Sequence, residues 1–266
     1  MGGERFTNTF YDMIEWINEI TGMHEVASRH GHVGNHMLAL IHWFMAILFV
    51  GWTAFLVVIL FKFRRKKNPN ASYKGVTSHF STHIEVGVVI VEVVLLLGFA
   101  FPLWATRADA KERPSGDEVV NLRAVGEQYR WTFHYAGADN MVGLTSHERY
   151  SGANAVGLVE EDPNAADDFV SINELVVPVG RPVVIQVTSK DVIHGLAIIP
   201  MFSQQDAIPG SEIPMWFVPD KEGEWNIVCA QLCGAGHAQM VAYVKAVSSE
   251  EFDTWYAGQT PLLPKK

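Results

Sequence analysis

Cysteine is scarce in this sequence, since Cys229 and Cys233 are the only two among 266 residues. With His237 they give three of the four Cys/His ligands that a structural zinc site needs. A disulfide between them stays an alternative in an oxidising compartment, although closing so short a loop would stabilise the fold little.

Basic residues are also in deficit, with 20 Lys and Arg against 29 Asp and Glu, so the overall charge gives no reason to expect a nucleic-acid partner.

Charged residues are missing from one long apolar run, Met37–Phe61. A second run, His83–Trp104, is nearly as apolar, and Glu85 and Glu92 are its only charged residues. A bilayer core needs about 20 such residues in a helix, so both runs predict transmembrane helices. Two buried helices of a soluble protein are the alternative, but globular helices are seldom so uniformly apolar.

The segment between the two runs, residues 62–82, contains several basic residues and no acidic one. By the positive-inside rule this segment is cytoplasmic, so residues 1–36 and 105–266 are expected on the outer side. We therefore predict a bacterial inner-membrane protein with a helix hairpin over residues 37–104 and a periplasmic N-terminus and C-terminal domain. The first run begins too late for a signal peptide, and earlier removal of a signal stays open. The histidines before it are irregularly spaced and are predicted to be solvated or at an interface: His24, His30, His32 and His36.

Short stretches rich in Val, Ile, Trp, Tyr and Phe follow residue 104, separated by Pro and Gly. About eight such stretches in ~150 residues predict β-strands that form a sandwich or barrel. Ser248–Tyr256 predicts a short helix, because a serine precedes acidic residues of the first turn. The expected fold class is a membrane-anchored all-β protein. The predicted strands are Val119–Val125, Tyr129–Tyr135, Glu174–Val177, Val183–Thr188, Leu196–Ile199, Met215–Val218, Glu224–Val228 and Met240–Val247.

The region of residues 105–266 has 22 acidic and 12 basic residues, so it carries the negative charge of the chain. A cluster of its acids predicts either a solvated loop or a docking field for a basic partner, since opposite charge speeds encounter. Both interpretations stay open at this point. The cluster consists of Glu160, Glu161, Asp162, Asp167 and Asp168.

The two cysteines belong to the stretch CAQLCGAGHAQM, which also contains His237 and Met240. A second imidazole, His194, lies 35 residues before Cys229 at a predicted strand end. Thiolate, thioether and imidazole donors together favour copper, and a blue-copper site uses one Cys, two His and a weak Met. This chain has one Cys too many for that site. If both thiolates bridge, these donors and a backbone carbonyl between the cysteines serve two copper ions, which suits electron transfer.

The pattern V-C-x-x-x-C-G-x-x-H-x-x-M, the stretch DVIH and the stretch DAIPG together resemble subunit II of haem–copper cytochrome c oxidases. The resemblance covers most of the chain. It implies two N-terminal spans followed by a cupredoxin-like β-sandwich or barrel with a dinuclear copper centre, CuA. The ligands it implies are His194, Cys229, Cys233, His237, Met240 and the backbone oxygen of Gln231.

The resemblance implies further roles outside the copper ligands. Tyr129 and Trp131 lie in GEQYRW, which is similar to the aromatic stretch where the family accepts electrons, although the usual first Trp is Tyr129 here. Glu85 matches the acidic residue at the mouth of a proton pathway into subunit I. Glu92 has no counterpart and would pair with subunit I or sit protonated against it. Gln231 replaces the usual glutamate that reaches an interfacial magnesium, and a neutral amide binds a hard dication more weakly, so that magnesium is doubtful.

We therefore expect the chain to be the subunit through which electrons enter a proton-pumping terminal oxidase of a respiratory chain. A c-type cytochrome or similar small periplasmic donor would supply electrons, and haem–copper subunit I would reduce oxygen to water. Subunit III and membrane lipid are expected as further partners. The chain has no C-x-x-C-H haem-attachment motif, so the haems belong to the partner and the chain is not catalytic alone. The alternatives are the donor subunit of a nitric oxide reductase and a membrane-anchored copper carrier or assembly protein.

Overall fold

A computed structural model gives the fold of residues 13, 16–70, 74, 78–108, 111 and 113–263. Parts of the predicted N-terminal segment (1–12, 14 and 15) and of the predicted cytoplasmic loop (71–73 and 75–77) lie outside these residues. The chain forms two compact units. One contains the residues up to Ala39 together with those from Pro114 onward, and the other is Leu40–Arg113.

Two long apolar helices contain the two predicted spans. The first, α1, runs over Arg29–Lys62 and has 34 residues, which at 1.5 Å per residue is about 50 Å. The second begins as α2, Phe80–Leu95, and continues through a π-helical turn, Leu96–Ala100, into α3, Phe101–Ala108. Both are long and apolar enough to cross a membrane, as their sequences predicted.

The π-helical turn lies just before Pro102. The Phe101 N–H reaches the Leu96 carbonyl, five residues earlier. Proline has no N–H and leaves the carbonyl of Gly98 without its usual helical donor, and a π turn is one adjustment that helices make at such points. Every residue of α2 is exposed in this chain, so its apolar side chains are available to lipid or to a partner subunit.

Ten strands form a β-domain of two five-stranded sheets. The order is β3-β2-β1-β5-β8 in the first sheet and β4-β10-β9-β6-β7 in the second. Neighbours are antiparallel except β1 with β5 and β10 with β4, which are parallel. The strands are β1 Val120–Glu127, β2 Arg130–Tyr135, β3 Phe169–Ile172, β4 Glu174–Pro178, β5 Val183–Ser189, β6 His194–Ile198, β7 Ser203–Ala207, β8 Ile213–Phe217, β9 Gly223–Cys229 and β10 Val241–Val247. A helix, α4, follows at Ser249–Ala257.

The hydrophobic core lies between the two sheets. Burying apolar surface stabilises a fold by about 25 cal/mol per Å², and both sheets contribute large side chains to one cluster. Tyr135 of β2 connects the sheets, because its hydroxyl donates to the Val176 carbonyl and accepts from the Val176 N–H, each at 2.9 Å. Fully buried members of the core include Leu122, Phe133, Ile185, Phe217, Leu175, Leu196, Ile227 and Val244.

All eight predicted strands are present, and their ends lie within two residues of the prediction. The predicted short helix is also confirmed, and the Ser248 hydroxyl accepts from the Glu251 N–H at 3.2 Å as an N-cap. Two strands, β3 and β7, were not predicted. The sequence pattern therefore predicts eight of the ten strands in the two sheets.

The chain just before α1 and the first turn of α1 pack against the β-domain. The Ala27 N–H donates to the Pro200 carbonyl at 2.8 Å, and the Ala27 carbonyl accepts from the Asp220 N–H at 3.1 Å. His32 Nε2 lies 2.9 Å from the Asp220 carboxylate. His30 Nε2 lies 3.3 Å from a backbone carbonyl in the connection between β6 and β7. These two histidines therefore contact the β-domain of the same chain, and the predicted solvated or interface role stays a prediction.

Candidate metal centre

Antiparallel pairing of two strands brings distant ligand residues together. His194 is the first residue of β6 and Cys229 is the last residue of β9. These strands pair with Leu196 opposite Cys229. Because side chains alternate along a strand, His194 and Leu196 share the face to which Cys229 points. The other predicted ligands follow Cys229 on the connection between β9 and β10.

One half of the site surrounds Cys229. Its Sγ lies 3.9 Å from His194 Nδ1 and 3.2 Å from the carbonyl oxygen of Gln231. His194 and Cys229 are both buried. The thiol therefore has one imidazole and one weaker oxygen donor beside it.

The other half surrounds Cys233. Its Sγ lies 3.5 Å from His237 Nδ1 and 3.8 Å from Met240 Sδ. The sulfur atoms of Cys229 and Cys233 are 3.8 Å apart, whereas a disulfide bond is about 2.05 Å long. Both thiols are free. The disulfide alternative is therefore wrong for this structure, and the second half repeats the first with a thioether as its weaker donor.

These separations fit donors that share metal ions. Tetrahedral ligands at about 2.0–2.3 Å from an ion lie roughly 3.3–3.8 Å from one another. Among the described residues, His194, Cys229 and Cys233 form a group whose donor atoms all lie within 4.8 Å of one another. His237 does not join that group, although it lies beside Cys233. The sulfur and imidazole character of these donors fits copper.

The thiols are largely shielded from solvent. Cys229, Cys233 and Met240 are buried, and His237 is half-buried. Burial, followed by the neighbouring Cys229 thiol, raises the pKa of Cys233 to about 11. A thiol with that pKa keeps its proton near neutral pH, so binding of a metal ion must displace the proton.

His194 is oriented by three neighbours. Its Nε2 lies 2.8 Å from Asp191 Oδ1, so the proton belongs on Nε2 and Nδ1 is left to face Cys229. The Trp131 ring packs against the imidazole edge to face, with 5.9 Å between the ring centroids. Gly126 allows this packing, because a Cβ there would lie 2.9 Å from the imidazole. The imidazole is therefore held in place by the β-domain itself.

The sequence of the β-domain is similar to that of known proteins. The family model for the cytochrome c oxidase subunit II periplasmic domain matches residues 120–247. Cytochrome c oxidase subunit 2 of Cyanidium caldarium is 30% identical over 213 residues, which are 79% of this chain and 78% of that protein. This chain belongs to the cytochrome c oxidase subunit II family. The family implies copper binding, in agreement with the predicted type of metal.

Two further similarities lie within the same family. The alternative cytochrome c oxidase subunit 2 of Bradyrhizobium diazoefficiens is 27% identical over 239 residues, 88% of this chain and 82% of that protein. The crystal structure of the periplasmic domain of subunit II of cytochrome oxidase from Bradyrhizobium japonicum is 30% identical and covers 54% of this chain and 94% of that chain, with a TM-score of 0.39.

Membership of the subunit II family confirms several predictions. The fold is a pair of apolar N-terminal helices followed by a cupredoxin-like β-domain. The chain is the electron-accepting subunit of a terminal oxidase and part of an oxidoreductase complex. Subunit I is its partner, and the two helices make it a membrane-anchored subunit.

Two aromatic residues of this subunit II lie near the metal site at different depths. Tyr129 is 38% exposed, and its ring covers Gly236, where a Cβ would lie 2.5 Å from the ring. Trp131 is fully buried beside His194. The structure therefore brings a surface ring and a core ring to the site, and their role in accepting electrons stays a prediction. Gln231 is exposed, and its role beside a magnesium ion also stays a prediction.

Glu85 and Glu92 belong to the helical unit, Leu40–Arg113, and not to the metal cluster. Both lie on α2, seven residues apart. At 3.6 residues per turn this spacing puts them within about 20° of each other around the helix. The two carboxyl groups therefore share one helix face.

The acidic cluster is not a uniformly exposed docking field. Asp168 is fully buried and lies 2.6 Å from His134 Nε2 and 2.8 Å from the Gly143 N–H. Burial lowers the pKa of His134 more than Asp168 raises it, so a neutral imidazole donates to the carboxylate. Asp162 and Asp167 accept from backbone N–H groups. At least three of the five acids thus hold the loop between β2 and β3 in place.

Two residues at the metal site were missed by the sequence analysis. Asp191 bonds to His194, and Gln128 bonds to the segment of Cys233. Asp191 belongs to DVIH, which carried the resemblance, and Gln128 belongs to GEQYRW, which is similar to an aromatic stretch of the family. Their position in these stretches was a signal, but one sequence does not show that the two stretches meet.

Proposed function

We propose that this subunit II binds two copper ions as a dinuclear CuA centre. The proposal is supported most directly by the repeated donor arrangement, in which each thiol has one imidazole Nδ1 within 3.9 Å and one weaker donor. When bound, the copper pair would accept single electrons and pass them on. The proposed ligands are His194, Cys229, Cys233, His237, Met240 and the carbonyl oxygen of Gln231.

The chain supplies a rigid and dry frame for these ligands. His194 and Cys229 are fixed by the pairing of β6 with β9, and the buried thiols are shielded from water. Asp191 keeps the imidazole of His194 in one orientation. Ligands held in this way need little rearrangement when the charge at the site changes, which favours rapid electron transfer.

The electron donor is proposed to be a c-type cytochrome or a similar small protein on the periplasmic side. Tyr129 supports this, because its exposed ring lies directly on the ligand loop. An aromatic ring with a polar tip suits a transient interface. Trp131 would continue the path inward, since it packs against His194.

The helical unit is proposed to serve proton translocation together with subunit I. A carboxyl group inside a bilayer is costly and usually faces protein or a water path, which supports a proton-pathway role for Glu85. Subunit III is proposed as a second partner of the exposed apolar helices. The proposed division of the chain is residues 1–36 outside, 37–104 in the membrane hairpin and 105–266 as the periplasmic domain, with the loop 62–82 in the cytoplasm.

An interfacial magnesium ion is proposed to bind weakly or not at all. Gln231 offers an amide oxygen where a carboxylate would bind the ion more strongly. The copper function does not depend on this side chain, because the Gln231 carbonyl oxygen, 3.2 Å from Cys229 Sγ, belongs to the backbone.

Electron paramagnetic resonance of the purified oxidase complex tests the proposed function. One unpaired electron shared by two copper nuclei gives a seven-line hyperfine pattern, which we expect for the unmodified chain. Cys229→Ser should abolish the pattern, and Ala230→Ser, an exposed change in the same loop, should preserve it. A four-line pattern, or a seven-line pattern that survives Cys229→Ser, would refute the dinuclear assignment.

A further inference from the structure

The turn between β1 and β2 bonds to both segments that supply the metal ligands. The side-chain amide of Gln128 donates to the Cys233 carbonyl at 2.6 Å. The backbone N–H of Gln128 donates to Asp191 Oδ2 at 2.8 Å. One residue therefore connects the loop after β9 with the segment before β6.

The bond to Asp191 extends to His194. The two oxygens of Asp191 have different partners, because Oδ2 accepts from Gln128 while Oδ1 lies 2.8 Å from His194 Nε2. Asp191 Oδ1 also accepts from the Val192 N–H at 2.7 Å. The carboxylate is thus fixed from three directions, and the orientation of the imidazole depends on the position of the β1–β2 turn.

The bond to Cys233 lies where the turn approaches the ligand loop most closely. A Cβ at Gly234 would lie 2.7 Å from Gln128 Nε2 and 2.7 Å from the Tyr129 hydroxyl. A Cβ at Gly236 would lie 2.5 Å from the Tyr129 ring. Only glycine fits this contact, so the turn and the loop are packed directly against each other. The donor amide of Gln128 fixes the register of that contact.

We propose that Gln128 is a positioning residue that sets the two halves of the metal site at a constant separation. Its side chain holds the Cys233 half, and its backbone holds Asp191 and through it the His194 half. It also keeps the neighbouring Tyr129 ring on the ligand loop. The inference rests on the proposed dinuclear copper function and deepens it, because it names a residue outside the ligand set that governs the geometry of that site.

The identity of the side chain matters because the Cys233 carbonyl needs a donor. Glutamate has nearly the same shape as glutamine but has only acceptor oxygens when ionised. Its carboxylate would therefore lie against the Cys233 carbonyl oxygen without a hydrogen bond. Methionine keeps the length and flexibility of glutamine without a donor and introduces no charge. Both changes leave the backbone bond to Asp191 possible, so they test the side chain alone.

The experiment compares Gln128→Glu and Gln128→Met with the unmodified oxidase complex and with Gln204→Leu, a change of an exposed glutamine on β7. The first readout is the copper hyperfine pattern, and the second is the rate at which a chelator removes copper. Loss of a residue that orients metal ligands typically weakens metal binding by about 10- to 100-fold. We expect both Gln128 variants to change the hyperfine splitting and to release copper at least about tenfold faster, with no change in Gln204→Leu.

The outcomes separate this inference from the proposed function. Absence of the seven-line pattern in the unmodified complex overturns the dinuclear function and the inference with it. A seven-line pattern that is present and unchanged in both Gln128 variants, with unchanged copper release, overturns the inference alone. If Gln128→Glu does not assemble with subunit I, the uncharged Gln128→Met decides the question. Failure of both to assemble while Gln204→Leu assembles would mean that Gln128 supports the whole fold and is not a local positioning residue.

Discussion

Gly236→Ala tests whether the contact between Tyr129 and the ligand loop is needed to accept electrons. The new Cβ would lie 2.5 Å from Tyr129 Cδ2 and 2.7 Å from Cε2. Carbon atoms prefer a separation of about 3.5–4.0 Å, so the ring must move by roughly 1 Å or more. Overpacking of this kind costs about 1–3 kcal/mol, which corresponds to roughly 5- to 150-fold in an equilibrium constant.

Two measurements on the assembled oxidase follow the consequence of Gly236→Ala. Hydrogen exchange of the loop amides of His237, Gln239 and Met240, which bond within the loop, should accelerate within that range. The rate of reduction by a protein donor should fall more than the rate with a small-molecule reductant. Gly152→Ala is the control, because a Cβ there meets nothing within 4 Å.

The double change Gly236→Ala with Tyr129→Ala isolates the contact. Removing the ring removes the clash, so the exchange rate of the double variant should match that of Tyr129→Ala alone. If Gly236→Ala accelerates exchange equally with and without the ring, the clash with Tyr129 is not the cause. If reduction by the protein donor is unchanged in both single variants, Tyr129 is not where electrons are accepted.

Three further predictions follow from other contacts. Asp191→Asn should weaken copper binding by about 10- to 100-fold, measured by chelator competition, because the amide holds His194 Nε2–H less strongly; unchanged binding would contradict the assigned orientation. Burial lowers the pKa of His134 in the folded protein. Below pH 6.5, the ordinary pKa of histidine, His134 of an opened loop therefore binds a proton that the buried imidazole does not bind. The free energy of opening the loop then falls by up to about 1.4 kcal/mol per pH unit. Exchange of amides 137–168, corrected for intrinsic chemistry, should therefore quicken from pH 7 to pH 5 in the unmodified chain but not in His134→Gln, and equal responses would refute it. Glu85→Gln and Glu92→Gln should lower proton translocation per electron or assembly with subunit I, whereas Val94→Gln, on the opposite face of α2, should not; equal effects in all three would remove the argument for a functional face.

The strands that could be predicted from the sequence are those whose side chains are mostly apolar. The two strands that were missed, Phe169–Ile172 and Ser203–Ala207, are both at sheet edges. The second reads SQQDA, and its inner three positions are exposed or half-buried. An edge strand is paired on one side only and often carries polar residues. Pairing with an existing neighbour, and not local hydrophobicity, makes this second segment a strand. The first reads FVSI, which is apolar but only four residues long.

The metal site could be predicted because its ligands lie in two short stretches with distinctive chemistry. Gln128, which supports the site, could not be predicted, because its partners Asp191 and Cys233 lie 63 and 105 residues away in the sequence. Asp168 illustrates the same limit, since it looks like a solvated acid but is buried against His134, 34 residues earlier. Charge and composition are local properties of a sequence, whereas burial and pairing depend on which loop covers which strand.

The register between β6 and β9 connects the fold directly to the metal chemistry. With Leu196 opposite Cys229, the side chains of His194 and Cys229 point to one face. A slip of one residue would turn Cys229 to the opposite face, because side chains alternate along a strand, and would separate the imidazole from both thiols. The apolar neighbours Leu196 and Ile227 are fully buried on their strands, so the same slip would also expose core side chains. The packing free energy that fixes the strand register in the core therefore also fixes the distance between His194 and Cys229 in the metal site.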